Sequence, residues 1–392
     1  MSLLPERRQR LAAALHAFHP LWHAQPFREP RPAWCAEQPA LAASLLALSD
    51  EAAVALNDDS DAALALLARY LPELAEVPSL TAVPECRTQP LTDHGARWAW
   101  EIPGRKRGQI EAFVAASQPA GGSVLDWCGG KGHLGRLLAL EWKRPVHTVE
   151  IDPQLCAAGS LLADKLALDH RFWQCDALAA SDWPQAGQHA VALHACGDLH
   201  RRLITQGSAA GVSHFDVAPC CYYRGVEQAY PPLAGPSALS LTRDDLRLAV
   251  TETVTASPRL ARQRDREMAW KLGFDAFRRE HSAGVYKSFK SVPAAWFRGS
   301  FADFLHRMAV REGLPAPGLT TSSEHFETLG WQRQREVMRL SIVRHAFRRA
   351  IEVWLVLDLA GYLENDGYSV ELGTFCPRRL TPRNLLISAR RA

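Results

Sequence analysis

The sequence predicts an α/β protein built around a mostly parallel sheet. Three observations carry this expectation. Between residues 105 and 223, short apolar runs alternate with helical ones. The first of them, SVLDWCGGKGHLGRLL (residues 123–138), reads as strand, glycine turn and helix. The chain closes with two strand-like runs, GYSVELGTF and NLLISARR, separated by the turn-rich CPRRLTPR. Alternation of this kind implies βαβ units, and the closing pair an antiparallel end to the same sheet.

Taken in order, residues 1–104 are rich in Ala and Leu with Pro-rich breaks, and read as a helical N-terminal domain without evident chemistry. The basic opening is broken by His16, His19 and Pro20 before the apolar core of a leader could form, so an amphipathic helix is expected there. Residues 105–223 form a cofactor-binding α/β core. Its strands are SVLD, PVHTVE, RFWQC, HAVALHA and HFDVAP; its helices are LGRLLALEW, QLCAAGSLLADKLAL and LHRRLITQGSAAG. Residues 224–333 are Pro-rich and then Arg-rich and helical, too long for a loop, and read as a helical inserted subdomain. Residues 334–392 supply one helix, to about residue 364, and the terminal strand pair that completes the core.

Composition excludes extremes. Hydrophobic residues make up 47% of the 392 and charged residues 22%, as in ordinary globular proteins. The most apolar run, IEVWLVLDLAGYL, is too short to span a bilayer and carries Asp358, so a buried helix and no membrane partner are expected. Nine cysteines without a secretory leader point to free thiols in a cytoplasmic setting. A net charge of +3 does not by itself indicate nucleic acid. Yet residues 259–290 hold nine Lys/Arg against four Asp/Glu, and residues 333–349 hold six against one. These segments are either solvated helix faces or a surface for an anionic partner such as RNA.

The glycine turn decides the cofactor. A P-loop is excluded, because Lys131 is followed by Gly132 rather than by a hydroxyl residue. Gly130, Gly132 and Gly135, with Glu150 as ribose acid, would suit a dinucleotide or S-adenosylmethionine. Asp126 separates the two. A carboxylate just before the glycines repels a pyrophosphate but attracts a sulfonium and an ammonium. Asp126, Glu150 with Asp152, and Asp176 stand after three successive strands, an arrangement suited to an adenosyl cation. S-adenosylmethionine is therefore the expected cofactor. Its site is expected to include Asp126, Cys128, Gly129, Gly130, Lys131, Gly132, Glu150, Ile151, Asp152, Cys175, Asp176 and His194. Turn or helix-cap duty is the plainer role for any single Asp among them, Asp152 above all.

With these residues in view, the chain resembles a known group. LDWCGGKGHLGRLLA, VHTVEIDP, LHACGDL, APCCYY and the tail LDLAGYLENDGYSVELGTFCPRRLTPRNLLISA together resemble class I methyltransferases whose eukaryotic members include the methyltransferase-like protein 25 type. The resemblance covers residues 105–392. It implies a seven-stranded Rossmann-like methyltransferase sheet and S-adenosylmethionine binding. Two departures stand out. Cys128 occupies the usual place of the first glycine, and Asp358-Leu359 stands where the group has Asp-Arg, which removes an expected salt bridge.

In the class I strand order, Cys128, Cys196, Cys220 and Cys221 meet at the methyl end of the cofactor, with His133 and His194 nearby. Three roles are open to these thiols: tight packing beside the ligand, a zinc site, or a nucleophile whose pKa is lowered by Lys131 or a helix N-terminus. Adjacent Cys220 and Cys221 lack Cys-x-x-Cys spacing, and no metal is assigned. His194, Cys220, Cys221 and Tyr222 are the candidate catalytic residues. His194-Ala195-Cys196-Gly197 differs from the Asn/Asp-Pro-Pro-Tyr of amino-group methyltransferases. Paired cysteines at a comparable place in a tRNA ribose-methyltransferase family favour RNA over a protein or small-molecule acceptor. A nicotinamide oxidoreductase and a binding-only protein of the same fold are the rival expectations.

Overall fold

The computed structural model describes residues 3–252, 258–281, 284, 286–315 and 322–391. Seven strands form one sheet in the order β3-β2-β1-β4-β5-β7-β6. They are β1 (Val124–Trp127), β2 (Val146–Glu150), β3 (His170–Gln174), β4 (His189–Cys196), β5 (His214–Cys220), β6 (Tyr368–Thr374) and β7 (Leu385–Arg391). The first five are parallel; β7 runs antiparallel to β5, and β6 antiparallel to β7. This is the expected α/β sheet with its reversed terminal pair. Chain order reverses between β1 and β4, and the carboxyl ends on either side of that point form the crevice where open sheets bind ligands.

The strands form because Val, Ile, Leu and Phe fill them and turn residues bound them. β1 is buried along its whole length, as expected of a central strand covered on both faces. The sheet core joins Phe113, Val124, Leu137, Val146, Val191 and Leu386. The apolar run near the C-terminus is a buried helix, Arg348–Asn365, with Asp358 fully enclosed. Asp358 does have a cationic partner. Arg8 of helix Leu4–Ala17 reaches it at 3.0 Å, and Tyr230 Oη and the Leu233 and Ala234 amides donate to the same carboxylate. The ion pair missing at Leu359 is thus replaced from the chain's opening helix.

The chain divides differently from the expected boundaries at 104, 223 and 333. One compact unit comprises Met1–His16, Val77–Val254 and Arg348–Ala392; the other comprises Ala17–Glu76 and Thr255–Phe347. Most of the expected N-terminal domain therefore belongs with most of the expected insertion. The physical reason lies in the second unit, where helices Asp50–Asp58 and Ser60–Leu67 pack on the long helix Ser322–Ala346. The single helix expected from 334 to 364 is two, broken at Phe347, whose amide bonds to Arg344 O three residues back.

The second unit has an aromatic core of Trp270, Phe274, Phe277, Phe301, Phe304 and Phe326. Its basic segments have two fates. On helix Pro258–Glu280, Arg259, Arg262, Arg264 and Arg266 are exposed, whereas Arg278 is buried against Asp275 at 2.6 Å. In residues 333–349, Arg333 pairs with Glu336 and Arg339 with Asp50. Arg349, in the sheet unit, pairs with Glu352. Most of that second segment is built into the fold, and the exposed charge of the first is densest at residues 259–266, with Lys287 and Lys290 also exposed. No single helix among the described residues is long and apolar enough to cross a membrane.

Candidate active site

The site is built from β1 outward. Asp126, at 1% exposure, lies beneath the glycine loop, where its Oδ2 accepts the Gly135 amide at 3.1 Å and the Thr148 hydroxyl at 3.3 Å. His170 Nε2 lies 2.7 Å from the same hydroxyl, so a polar chain runs from β3 through β2 to β1. Burial pushes the Asp126 carboxyl up to about 6, against the pull of the Gly135 and Thr148 hydrogen bonds. Burial likewise holds His170 down near 3, so its ring is neutral. The expectation that Asp126 faces the cofactor is therefore revised: its carboxylate shapes the loop from below. Gly129 makes this possible, since a Cβ there would stand 2.3 Å from Asp126 Oδ2.

Glu150 ends β2 and is half-buried. Its Oε2 accepts the Gly130 amide at 3.0 Å, and its Oε1 accepts the amides of Ile151 and Asp152. Gly130 has φ +63°, a conformation that turns its N–H toward Glu150 and that suits glycine. Asp152 caps helix Pro153–Asp164 by accepting the Gln154 and Leu155 amides, the plainer of its two expected roles. Asp176 is exposed after β3 and accepts the Leu178 amide. Ile151 and Leu178 are 60% and 47% exposed at the ends of two neighbouring strands, apolar surface suited to a flat ring. Cys175, between them in sequence order, is half-buried. Lys131 is held by Glu101 at 3.2 Å.

The ends of β4 and β5 carry sulfur. Their register pairs Cys196 with Cys220, after a bulge between Leu193 and Cys196. His194 sits in that bulge at φ +69°. Its Nε2 lies 3.1 Å from Gln109 Oε1, and Gln109 Nε2 donates to Leu380 O. The Gln109 amide is therefore oriented, and His194 Nε2 carries the proton, leaving Nδ1 as acceptor. Burial lowers the His194 pKa to about 4. The sulfurs of Cys196 and Cys220 are 3.4 Å apart, and those of Cys196, Cys220 and Cys221 all lie within 4.8 Å of one another. Hydrogen bonds from Cys196 and Cys220 hold the Cys221 thiol far below its usual range, helped by the Arg224 and Arg383 guanidiniums. Cys220 is pushed up correspondingly, by its bonds to the other two and by burial.

Of the expected thiol group, Cys128 stands apart. Burial, with Glu150 and Asp126 as neighbours, pushes it up to about 12. His133 is turned to Arg136, 2.7 Å away. Tyr222 is 1% exposed, its ring edge against His200 and its hydroxyl on Pro219 O, so it supports the site from the interior rather than lining a pocket. Sequence reasoning missed Gln109, which orients His194, and Thr148, which ties Asp126 to His170. Neither carries a spacing signal: in VHTVE, Thr148 stands among other polar residues, His147 and Glu150, and nothing marks it out.

Comparison with known proteins agrees with this geometry. Residues 106–228 match the family model described as a methyltransferase domain. This region is similar to that domain over 123 of the 392 residues. Among curated relatives, a glutathione S-transferase C-terminal domain-containing protein homolog of Drosophila pseudoobscura pseudoobscura is 34% identical over 138 residues, 34% of this chain and 22% of that protein. The Drosophila melanogaster homolog is 35% identical over 143 residues, again 34% of this chain and 22% of that one. The match thus spans about a fifth of those relatives' length. Solved structures include a geranyl diphosphate methyltransferase (16% identity, TM-score 0.27, 34% of this chain and 55% of that one). Another is the geranyl diphosphate C-methyltransferase of Streptomyces coelicolor (15%, 0.26, 34% and 54%). Both likenesses are distant. The methyl donor of such a domain is S-adenosylmethionine. The donor set fits it: a carboxylate for the ribose diol at Glu150, apolar surface at Ile151 and Leu178, and a glycine loop open above Gly130, where an added Cβ would meet nothing.

Proposed function

We propose that this chain transfers a methyl group from S-adenosylmethionine to RNA, and that it belongs with the methyltransferase-like protein 25 type through its HACG and PCCY stretches. The observation that carries the methyl-transfer reading is the Gly130–Glu150 link, which presents a fixed carboxylate at the carboxyl end of β2 beside the glycine loop. When bound, the cofactor supplies a carbon already activated by sulfonium. The chain's own residues then have a positioning task, worth more than acid–base help in such a displacement. In this reading Glu150 takes the ribose hydroxyls, while Ile151 and Leu178 flank the base. His194, Cys220 and Cys221 form the acceptor side, where His194 Nδ1 is free to accept a proton, weakly, because burial keeps its pKa near 4.

RNA is favoured as acceptor by the exposed arginines 259, 262, 264 and 266 in the second unit. The test supplies purified protein with methyl-labelled cofactor and either total RNA or total protein. Label is expected in RNA, with loss in Glu150→Ala. Binding to RNA is expected to weaken as salt rises, and Arg262→Ala with Arg266→Ala to flatten the salt slope by about one for each phosphate no longer neutralised. Label in protein alone, with salt-independent RNA binding, removes the RNA acceptor and leaves methyl transfer standing.

A further inference from the structure

The three sulfurs at the ends of β4 and β5 form a cluster that methyl transfer does not require. We propose that Cys196, Cys220 and Cys221 hold a zinc ion as thiolates, with the fourth coordination position open to the crevice. The proposal goes beyond the methyltransferase reading and does not depend on it.

The cluster is made by the backbone. Cys196 and Cys220 are register partners on adjacent parallel strands, which brings their sulfurs to 3.4 Å. The bulge before Cys196 and the positive φ of Cys221 (+45°) then set the third sulfur within 4.8 Å of both. Adjacent cysteines lack the usual zinc spacing in sequence, but here the spacing is supplied by strand pairing. Zinc–sulfur bonds of about 2.3 Å place tetrahedral sulfurs about 3.8 Å apart, so small side-chain rotations convert this triangle into three corners of a tetrahedron. A disulfide uses two sulfurs and strands the third; an ion uses all three. Thiolate sulfur selects zinc over magnesium or calcium. Three thiolates and a divalent ion leave one negative charge, and the Arg224 guanidinium lies within electrostatic reach of Cys221 to balance it, Arg383 being shared with Glu352. Cys196 and Cys221 are only half-buried while Cys220 is enclosed, so the triangle has an open side. Three protein ligands with one position open is the pattern of zinc sites that handle a substrate or water.

The experiment uses the full chain, stripped with a chelator under a phosphine reductant and titrated with cobalt(II), then back-titrated with zinc. A sulfur-to-cobalt charge-transfer band that saturates at about one ion per chain and is displaced by zinc is expected. Cys221→Ser and Cys196→Ser are expected to abolish the band, and Cys35→Ser to leave it unchanged. Absence of the band in the wild-type chain, or its survival in both site variants, overturns the proposal. S-adenosylhomocysteine binding and far-ultraviolet dichroism measured on the same samples keep the outcomes apart. Folded, cofactor-binding protein without the band refutes the zinc site alone. The band in protein that binds no cofactor supports zinc and refutes the donor site.

Discussion

The carboxyl edge of the sheet has two halves that solve the same problem with different chemistry. At β1 and β2, carboxylates are held by backbone amides: Asp126 by Gly135, Glu150 by its neighbours Ile151 and Asp152 and by Gly130 of the glycine loop. At β4 and β5, thiols are held by one another, across a strand pair separated by 24 residues. The first half needs β1 and β2 paired, but its carboxylates are then fixed by main-chain amides of the glycine loop and of the turn after β2. The second exists only when β4 and β5 pair in register and the bulge before Cys196 forms. The first half is therefore expected to fail through steric changes in its loop, the second through its electrostatics.

The largest expected effect comes from Gly129→Ala. The new Cβ would stand 2.3 Å from Asp126 Oδ2 and 2.8 Å from Thr148 Cγ2, and Asp126 cannot retreat while it holds Gly135. Overpacking of this kind costs about 1–3 kcal/mol. The Tm is expected to fall by several degrees, and S-adenosylhomocysteine to give no further shift in a thermal titration. An unchanged Tm would show that Asp126 is not fixed beneath the loop.

Asp126→Asn probes the same half through pH. The folded carboxyl titrates near 6 and the unfolded one near 3.8, because burial disfavours the charge. Below about 4 both states are protonated and the group costs nothing. As pH rises toward 6 the unfolded chain sheds its proton first, and the wild type loses up to roughly 3 kcal/mol relative to a residue that never ionises. Urea unfolding at pH 4, 5, 6 and 7 is expected to show Asp126→Asn gaining on the wild type up to about pH 6 and then levelling. The buried histidines act oppositely. His170, His194 and His200, held near 3 to 4, favour the fold above 6.5 and lose that contribution as pH falls. They are common to both proteins and cancel in the difference. A flat difference across this range would mean that Asp126 is solvated.

Glu150→Ala follows. A hydrogen bond to a charged group is worth about 1.5–3 kcal/mol, hence about 10- to 150-fold in the Kd for S-adenosylhomocysteine by calorimetry. The stability of the free protein is expected to change little, since the carboxylate is half-buried and its amide partners can turn to water. Undiminished affinity removes Glu150 from the ribose.

How much of this was legible follows from which links are local. All five parallel strands and the terminal pair could be read, because alternation and turn residues lie within each segment. The position of Asp126 could be read, but its direction could not: β1 is buried on every residue, and nothing in SVLD tells a carboxylate aimed at a ligand from one aimed under the loop. Strand adjacency anticipated a thiol group, yet the bulge at Leu193–Cys196 and the turn at Cys221 leave Cys128 out. The partition of the chain was invisible, since the packing of residues 17–76 with 255–347 depends on complementary apolar faces far apart in sequence. The same holds for Arg8, which completes Asp358 across most of the chain.

The smallest expected effect is also the most direct comparison of the two halves. Cys128 and Cys221 both have positive φ and both lie half-buried at strand ends. They differ in the sign of the surrounding field. Cys128 is buried near the Glu150 and Asp126 carboxylates, which resist a second negative charge and carry its thiol up to about 12. Cys221 receives hydrogen bonds from two thiols, with two guanidiniums in reach, and is held as thiolate. Thiolate, not thiol, reacts with alkylating agents. In metal-free, reduced protein at pH 7, iodoacetamide followed by peptide mapping is expected to label Cys221 ahead of Cys128 by at least about tenfold, a gap of about 1.4 kcal/mol. Arg224→Ala is expected to leave Cys221 a thiolate at pH 7 and its labelling nearly unchanged, since the two thiols and not the solvent-screened guanidinium are the main cause, and to leave Cys128 untouched. Equal labelling of the two cysteines would show that the thiols at β4 and β5 do not share a proton as their spacing implies, and the contrast between the two halves would then rest on geometry alone.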